Sequence, residues 1–184
     1  MLEKFDVENF DITKDGMSLL TAILIVEFIF LVIIRYFLGK PINDWYDNFG
    51  MSAVFADASS IVIGIVLAYI IYVNLVKKPD DKFNLLIFIG IMIGVTIVHD
   101  IFFYLAVIKP MPKGHNKMID VFKDYSEPGI IAVDSIIMVS SVLLYYAISN
   151  NFNDSSKLFC LAFVFYAIQF LLYTPRNKLD TTTM

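Results

Sequence analysis

Five apolar runs, each of about 18 residues or more, decide what this chain can fold into. At 1.5 Å per residue, about 20 residues cross a hydrocarbon core of roughly 30 Å. A lone segment in lipid must satisfy its own backbone hydrogen bonds, which an isolated helix does and an isolated strand does not. The expected fold is therefore an all-α, polytopic membrane helix bundle of about five spans, at residues 17–38, 51–76, 83–108, 128–149 and 156–173. Composition agrees: only 17% of the 184 residues are charged, against about 25% in an ordinary soluble domain.

The breaks between runs are built from helix-ending residues. Gly39, Lys40 and Pro41 end the first run, and Lys77, Lys78, Pro79, Asp80 and Asp81 part the second from the third. Lys109, Pro110, Met111 and Pro112 end the third, and Asn150 to Asp154 precede the fifth. Ser126, Glu127 and Pro128 make a helix start, with a capping hydroxyl followed by an early proline. Between Lys109 and Tyr125, the residues Met118, Ile119, Phe122 and Tyr125 have helical spacing. That connector reads equally as a short interfacial helix or as a solvated loop.

The chain divides into a polar N-terminal segment (1–16), the bundle (17–174) and a short polar tail (175–184). Residues 1–16 lack the basic, apolar, small-residue order of a cleavable signal, so the first span is expected to stay in the mature protein. Let side A be the face bearing that segment and side B the other. Side A collects Lys4, Lys14, Lys77, Lys78, Lys82 and Lys157; side B collects Arg35, Lys40, Lys109, Lys113, Lys117, Lys123, Arg176 and Lys178. The positive-inside bias then favours, by two charges, a cytoplasmic side B and C-terminus. Arg35 and Lys40 are expected to snorkel to side B.

Function must lie in the ionisable groups that the spans retain, because a charge at the bilayer centre costs about 2.5–3.5 kcal/mol on insertion scales. These are Glu27, Asp57, His99, Asp100 and Asp134. Counting 1.5 Å per residue from side B puts Asp57 and Asp134 about 9 Å deep, Asp100 about 12 Å, and Glu27 about 16 Å. Asp57, Asp100 and Asp134 thus fall in one layer of the side B half together with Gln169 of the fifth span, while Glu27 lies near the midplane. Ser60, Thr96, Tyr104, Ser141 and Gln169 fall on the same stripes as supporting polar groups. Hydroxyls and amides in a bundle most often only bond helices together, at about 0.6 kcal/mol each. A carboxylate is a costly choice for that task. Gly64 completes a small-residue stripe with Ala56, Ser60 and Ala68, while Gly90 and Gly94 form a GxxxG pair suited to helix contact.

Carboxylates and an imidazole in one intramembrane layer suit a proton or cation relay. The sequence therefore predicts a proton- or cation-handling transporter or channel. No potassium-filter sequence, Arg-rich voltage helix or nucleotide loop is present. One alternative is an intramembrane enzyme acting on lipid or a small apolar substrate. In that reading Asp57, His99, Asp100 and Asp134 are the candidate ligands of a divalent cation, and Ser59 or Ser60 with His99 is a candidate nucleophile pair. The other alternative is a structural membrane protein of a virion or larger complex. No other cofactor is implied, and with one cysteine, Cys160, no internal disulfide forms. The expected partners are the bilayer and further copies or a membrane complex. A net charge of −4 leaves no nucleic-acid footprint.

Overall fold

The structure is a computed structural model. It describes the backbone of residues 12–38, 40–78, 83–125 and 129–174, and the side chains of all of these but 12–14, 40–41, 124–125 and 129–130. Residues 1–11 of the polar N-terminal segment, Gly39, residues 79–82, the 126–128 helix start and the tail from 175 lie outside them. The described residues form seven helices and no strand: α1 (Ile12–Phe37), α2 (Lys40–Phe49), α3 (Met51–Ile71), α4 (Leu85–Phe103), α5 (Lys117–Tyr125), α6 (Gly129–Asn151) and α7 (Asp154–Leu172). Helices α3 and α4 each continue for five residues as a wider π turn, closed by Lys77 N donating to Tyr72 O (2.9 Å) and Lys109 N to Tyr104 O (2.8 Å).

Side-chain caps set several ends. The Asn84 carboxamide oxygen accepts from the N–H groups of Leu86 and Ile87 at the start of α4. Asn153 does the same for Ser156 at α7, and Asn116 for Met118 and Ile119 at α5. Each satisfies helix N–H groups that have no intrahelical partner. Gly50, at φ 52°, turns α2 directly into α3, a backbone conformation that favours glycine.

Five helices are long and apolar enough to cross a membrane: Asp15–Phe37, Met51–Val76, Leu85–Ile108, Ile131–Asn151 and Asp154–Leu172. The protein is an all-α, multi-pass membrane helix bundle. The second and third spans end where hydropathy places them. Helix α6 runs two residues beyond 149, because Asn150 and Asn151 turn back to donate to the carbonyls of Tyr146 (2.7 Å) and Ala147 (2.8 Å). Large apolar side chains such as Leu86, Phe102, Phe159 and Phe163 face outward, as a lipid-facing surface requires.

Helix α1 packs against α3, α6 and α7, while α4 packs against α3 and α6. Hence α1, α3, α4 and α6 form a four-membered antiparallel ring, and α7 lies outside it against α1. Gly64 of α3 sits so close to α6 that an added Cβ would meet the Met138 methyl. Gly64→Leu is expected to overpack this contact by about 1–3 kcal/mol and to lower the melting temperature in detergent; an unchanged melting curve would contradict it. The rest of the expected stripe divides: Ala68 is buried, whereas Ala56 and Ser60 face outward. Among the described residues, a Cβ added at Gly90 or Gly94 would meet nothing within 4 Å.

Two departures from the sequence reading concern side B. The connector at 40–49, read as a break, is the helix α2. Its inner face, Ile42, Asn43, Trp45, Tyr46 and Phe49, packs on α3 and on α5. The connector at 117–125 takes the helical one of its two expected forms, as α5. Trp45 meets Phe122 edge-on at 5.7 Å and Phe49 at 5.1 Å, and Phe103 of α4 reaches Phe122 at 6.3 Å. The two amphipathic helices thereby roof the side B end of the ring. Arg35, expected to snorkel, is instead 2% exposed. It donates to Asn43 Oδ1 (3.2 Å) and Leu172 O (2.7 Å) and pairs with Asp47. These partners come from α2 and the end of α7, which the fold alone brings to it.

Candidate functional site

Each helix of the ring contributes one carboxylate: Glu27 from α1, Asp57 from α3, Asp100 from α4 and Asp134 from α6. The four are linked electrostatically. Glu27 is within reach of Asp57 and Asp134, and Asp134 is within reach of both Asp57 and Asp100. Asp134 is thus common to every branch of the cluster. The agreement in depth follows from rigid rods of fixed rise.

Their surroundings differ. Glu27 is 3% exposed, and its Oε1 has no hydrogen-bond partner in the protein. Asp57 is held from the roof: one oxygen, Oδ2, accepts both the Trp45 indole N–H (3.1 Å) and the Tyr46 hydroxyl (3.0 Å). Asp100 Oδ1 lies 3.0 Å from His99 Nδ1, while its Oδ2 is buried and unpartnered. His99 lies over Met92 on α4, seven residues and two turns along. Met92 is fully buried, yet the His99 side chain is 49% exposed and stacks on Phe103 at 5.9 Å. The described residues therefore cover this face of α4 at Met92 and leave it uncovered at His99.

Among the supporting residues, Thr96 is buried and donates to Met92 O (3.0 Å) within its helix, with Met138 Sδ 3.3 Å away. Ser141 is fully buried with an unpartnered Oγ. The other three lie outward. The Ser60 hydroxyl returns to Asp57 O on its own helix (2.9 Å), and Tyr104 and Gln169 are exposed. Ser59 also faces outward, and His99 is bonded to Asp100 rather than to a hydroxyl. Among the described residues, no three His, Cys, Asp or Glu side chains approach closely enough to ligate one ion.

Sequence reasoning missed Trp45 and Tyr46, although their spacing with Ile42 and Phe49 is that of an amphipathic helix. It also missed the side A proximity of Asp15 on α1 to Tyr145 on α6, which interact electrostatically.

Fold and site together define a multi-pass membrane helix bundle whose four inner helices bring Glu27, Asp57, Asp100 and Asp134 into one electrostatically linked group. No family model, curated protein or solved structure matches the chain.

Proposed function

We propose that the protein moves protons or small cations across its membrane, with Glu27, Asp57, Asp100 and Asp134 as the ion-binding groups. The observation that carries this reading is a quartet of interacting carboxylates with no lysine or arginine among them in the described residues. Arg35, the basic side chain closest in sequence on α1, is committed to Asp47, Asn43 and the Leu172 carbonyl. Four bare anions would cost about 10–14 kcal/mol on insertion scales, comparable with the whole stability of an ordinary domain, about 5–15 kcal/mol. Positive charge taken up as protons or as a cation offsets that cost. His99 beside Asp100, with half of its side chain left uncovered, offers a point of proton exchange.

The test is flux from purified protein in liposomes, with a pH-sensitive dye inside and imposed gradients of H⁺, Na⁺, K⁺ or Mg²⁺. Flux above that of empty liposomes in at least one gradient is expected. Rates equal to empty liposomes in all four would defeat the proposal. One observation favours a structural role for a single member of the quartet: Asp57 anchors α2 through Trp45 and Tyr46. If all four carboxylates act only as fasteners, no gradient drives flux.

A further inference from the structure

We propose that the side B connector at 109–117 is a docking surface for anionic phospholipid headgroups of the surrounding bilayer, with Lys109, Lys113 and Lys117 as the phosphate-binding groups. The inference is independent of the transport reading, since it concerns the contact of the protein with lipid.

Chain order fixes the place of this surface. The third span ends at Ile108. Up to that point the outward side chains are apolar, with Ile101, Phe102 and Leu105 all exposed. Tyr104 beside them is exposed as well, an aromatic group of the kind that sits where spans meet the headgroup layer. From Lys109 onward the exposed positions change character: Lys109, Lys113, His115 and Lys117 all face outward. The surface thus turns from hydrocarbon-facing to cationic over the four residues from Leu105 to Lys109, about one helical turn.

The charge of this stretch is not compensated within it. Residues 109–123 carry four lysines and one aspartate, a balance of +3 with His115 neutral, in a chain whose net charge is −4. The aspartate, Asp120, is turned to the backbone, where its Oδ2 accepts from Gly114 N at 2.8 Å. Lys123 is also committed, its Nζ donating to Met111 O. Among the described residues, Lys109, Lys113 and Lys117 form no ion pair; Lys117 Nζ lies 6.0 Å from the centre of the Phe49 ring. Uncompensated ammonium groups at a membrane boundary attract anionic lipid. Lysine serves a phosphate as a compact charge with three donors.

The connector presents these lysines from a fixed frame. Gly114 turns the chain at φ 88°, His115 N donates to Pro112 O (3.3 Å), and Asn116 Oδ1 caps α5. A loop already ordered loses little further backbone freedom when a headgroup binds. The surface also abuts the roof of the ring. Lys117 lies against Phe49, Phe49 meets Trp45 edge-on at 5.1 Å, and the Trp45 indole donates to Asp57. Trp45 is the single tryptophan of the chain, so its fluorescence reports on lipid arriving at Lys117.

The test titrates the full chain in mixed micelles with dansyl-labelled phosphatidylglycerol or phosphatidylcholine and reads energy transfer from Trp45. Each lysine near a membrane surface contributes about fivefold in affinity for anionic lipid. The wild type is expected to prefer phosphatidylglycerol, and to lose most of that preference between about 0.05 and about 0.5 M NaCl as the charges are screened. Lys109→Gln with Lys113→Gln should reduce the preference by about twentyfold at an unchanged melting temperature. Lys77→Gln with Lys78→Gln removes equal charge at the side A end of the second span and should leave the preference intact. The salt titration uses the wild type, so it decides even if the Lys109, Lys113 variant folds poorly. Equal transfer from the two lipids in the wild type would overturn the inference, as would a preference that survives high salt. An equal loss in both double variants would reduce it to net charge and overturn it too. Displacement of the labelled lipid by inorganic phosphate, where chloride at the same ionic strength leaves it bound, would assign the lysines to soluble phosphate instead.

Discussion

Asp134→Asn is expected to stop ion movement and to leave the bundle folded. Asp134 is the member of the quartet that interacts with each of the other three, so removing its charge disconnects Asp100 from Glu27 and Asp57. Among the described residues no hydrogen bond fastens the Asp134 carboxylate, whereas Asp57 holds α2 and Asp100 holds His99. Asparagine has nearly the same shape and cannot take up the charge. The substitution therefore removes ion binding without removing a tie between helices. Flux per folded molecule should fall by about a hundredfold or more, the scale on which positioned proton-transfer groups contribute. The melting temperature in detergent should hold or rise, because a costly intramembrane charge has been deleted. A collapse of the melting temperature with flux per folded molecule preserved would leave Asp134 as a structural group. Asp100→Asn, measured in parallel, should lose flux as well, while also releasing His99 from its acidic partner.

The depth of the site was legible in the sequence; its rotation and its roof were not. Helix rise is fixed, so counting residues from the breaks places Asp57, Asp100 and Asp134 in the side B half of the membrane and Glu27 near its midplane. Which way a side chain faces depends on neighbouring helices. Ser60 sits only three residues from Asp57, yet it faces outward, because the buried stripe of α3 continues through Ala58, Ile61 and Ile65 instead. The roof was hidden by composition. Ten residues rich in Asp, Asn and aromatic groups at 40–49 read as a connector between spans, because they follow the helix-ending Gly39 and Pro41. At side A, Asp15 was assigned to a polar leading segment. Its proximity to Tyr145 joins residues 130 positions apart, and no local pattern reports such a pair.

The largest loss of stability is expected at Arg35, which joins three helix ends. Its guanidinium reaches Asn43 and Asp47 on α2 and the last residue of α7, Leu172. Asn43 in turn donates to the carbonyls of Ile34 and Leu38 (both 3.0 Å), closing the end of α1. Arg35→Ala leaves the Leu172 carbonyl and Asp47 without their donor and opens a space at the junction. Breaking a buried ion pair from one side costs about 3–5 kcal/mol. Here the lower end applies, since the Asp47 side chain is 38% exposed and water can take over part of the lost interaction. Arg35 Nε is itself buried without a partner, which trims the loss further. Arg35→Lys should fall between wild type and Ala, because an ammonium is a compact charge that lacks the planar fork. The damage should spread to the site: once α2 loosens, Trp45 and Tyr46 leave Asp57 Oδ2, and hydrogen exchange of the α2 amides should accelerate together with the fall in melting temperature. An Arg35→Ala protein that melts with the wild type and keeps α2 protected would show that the roof is held by its aromatic contacts alone.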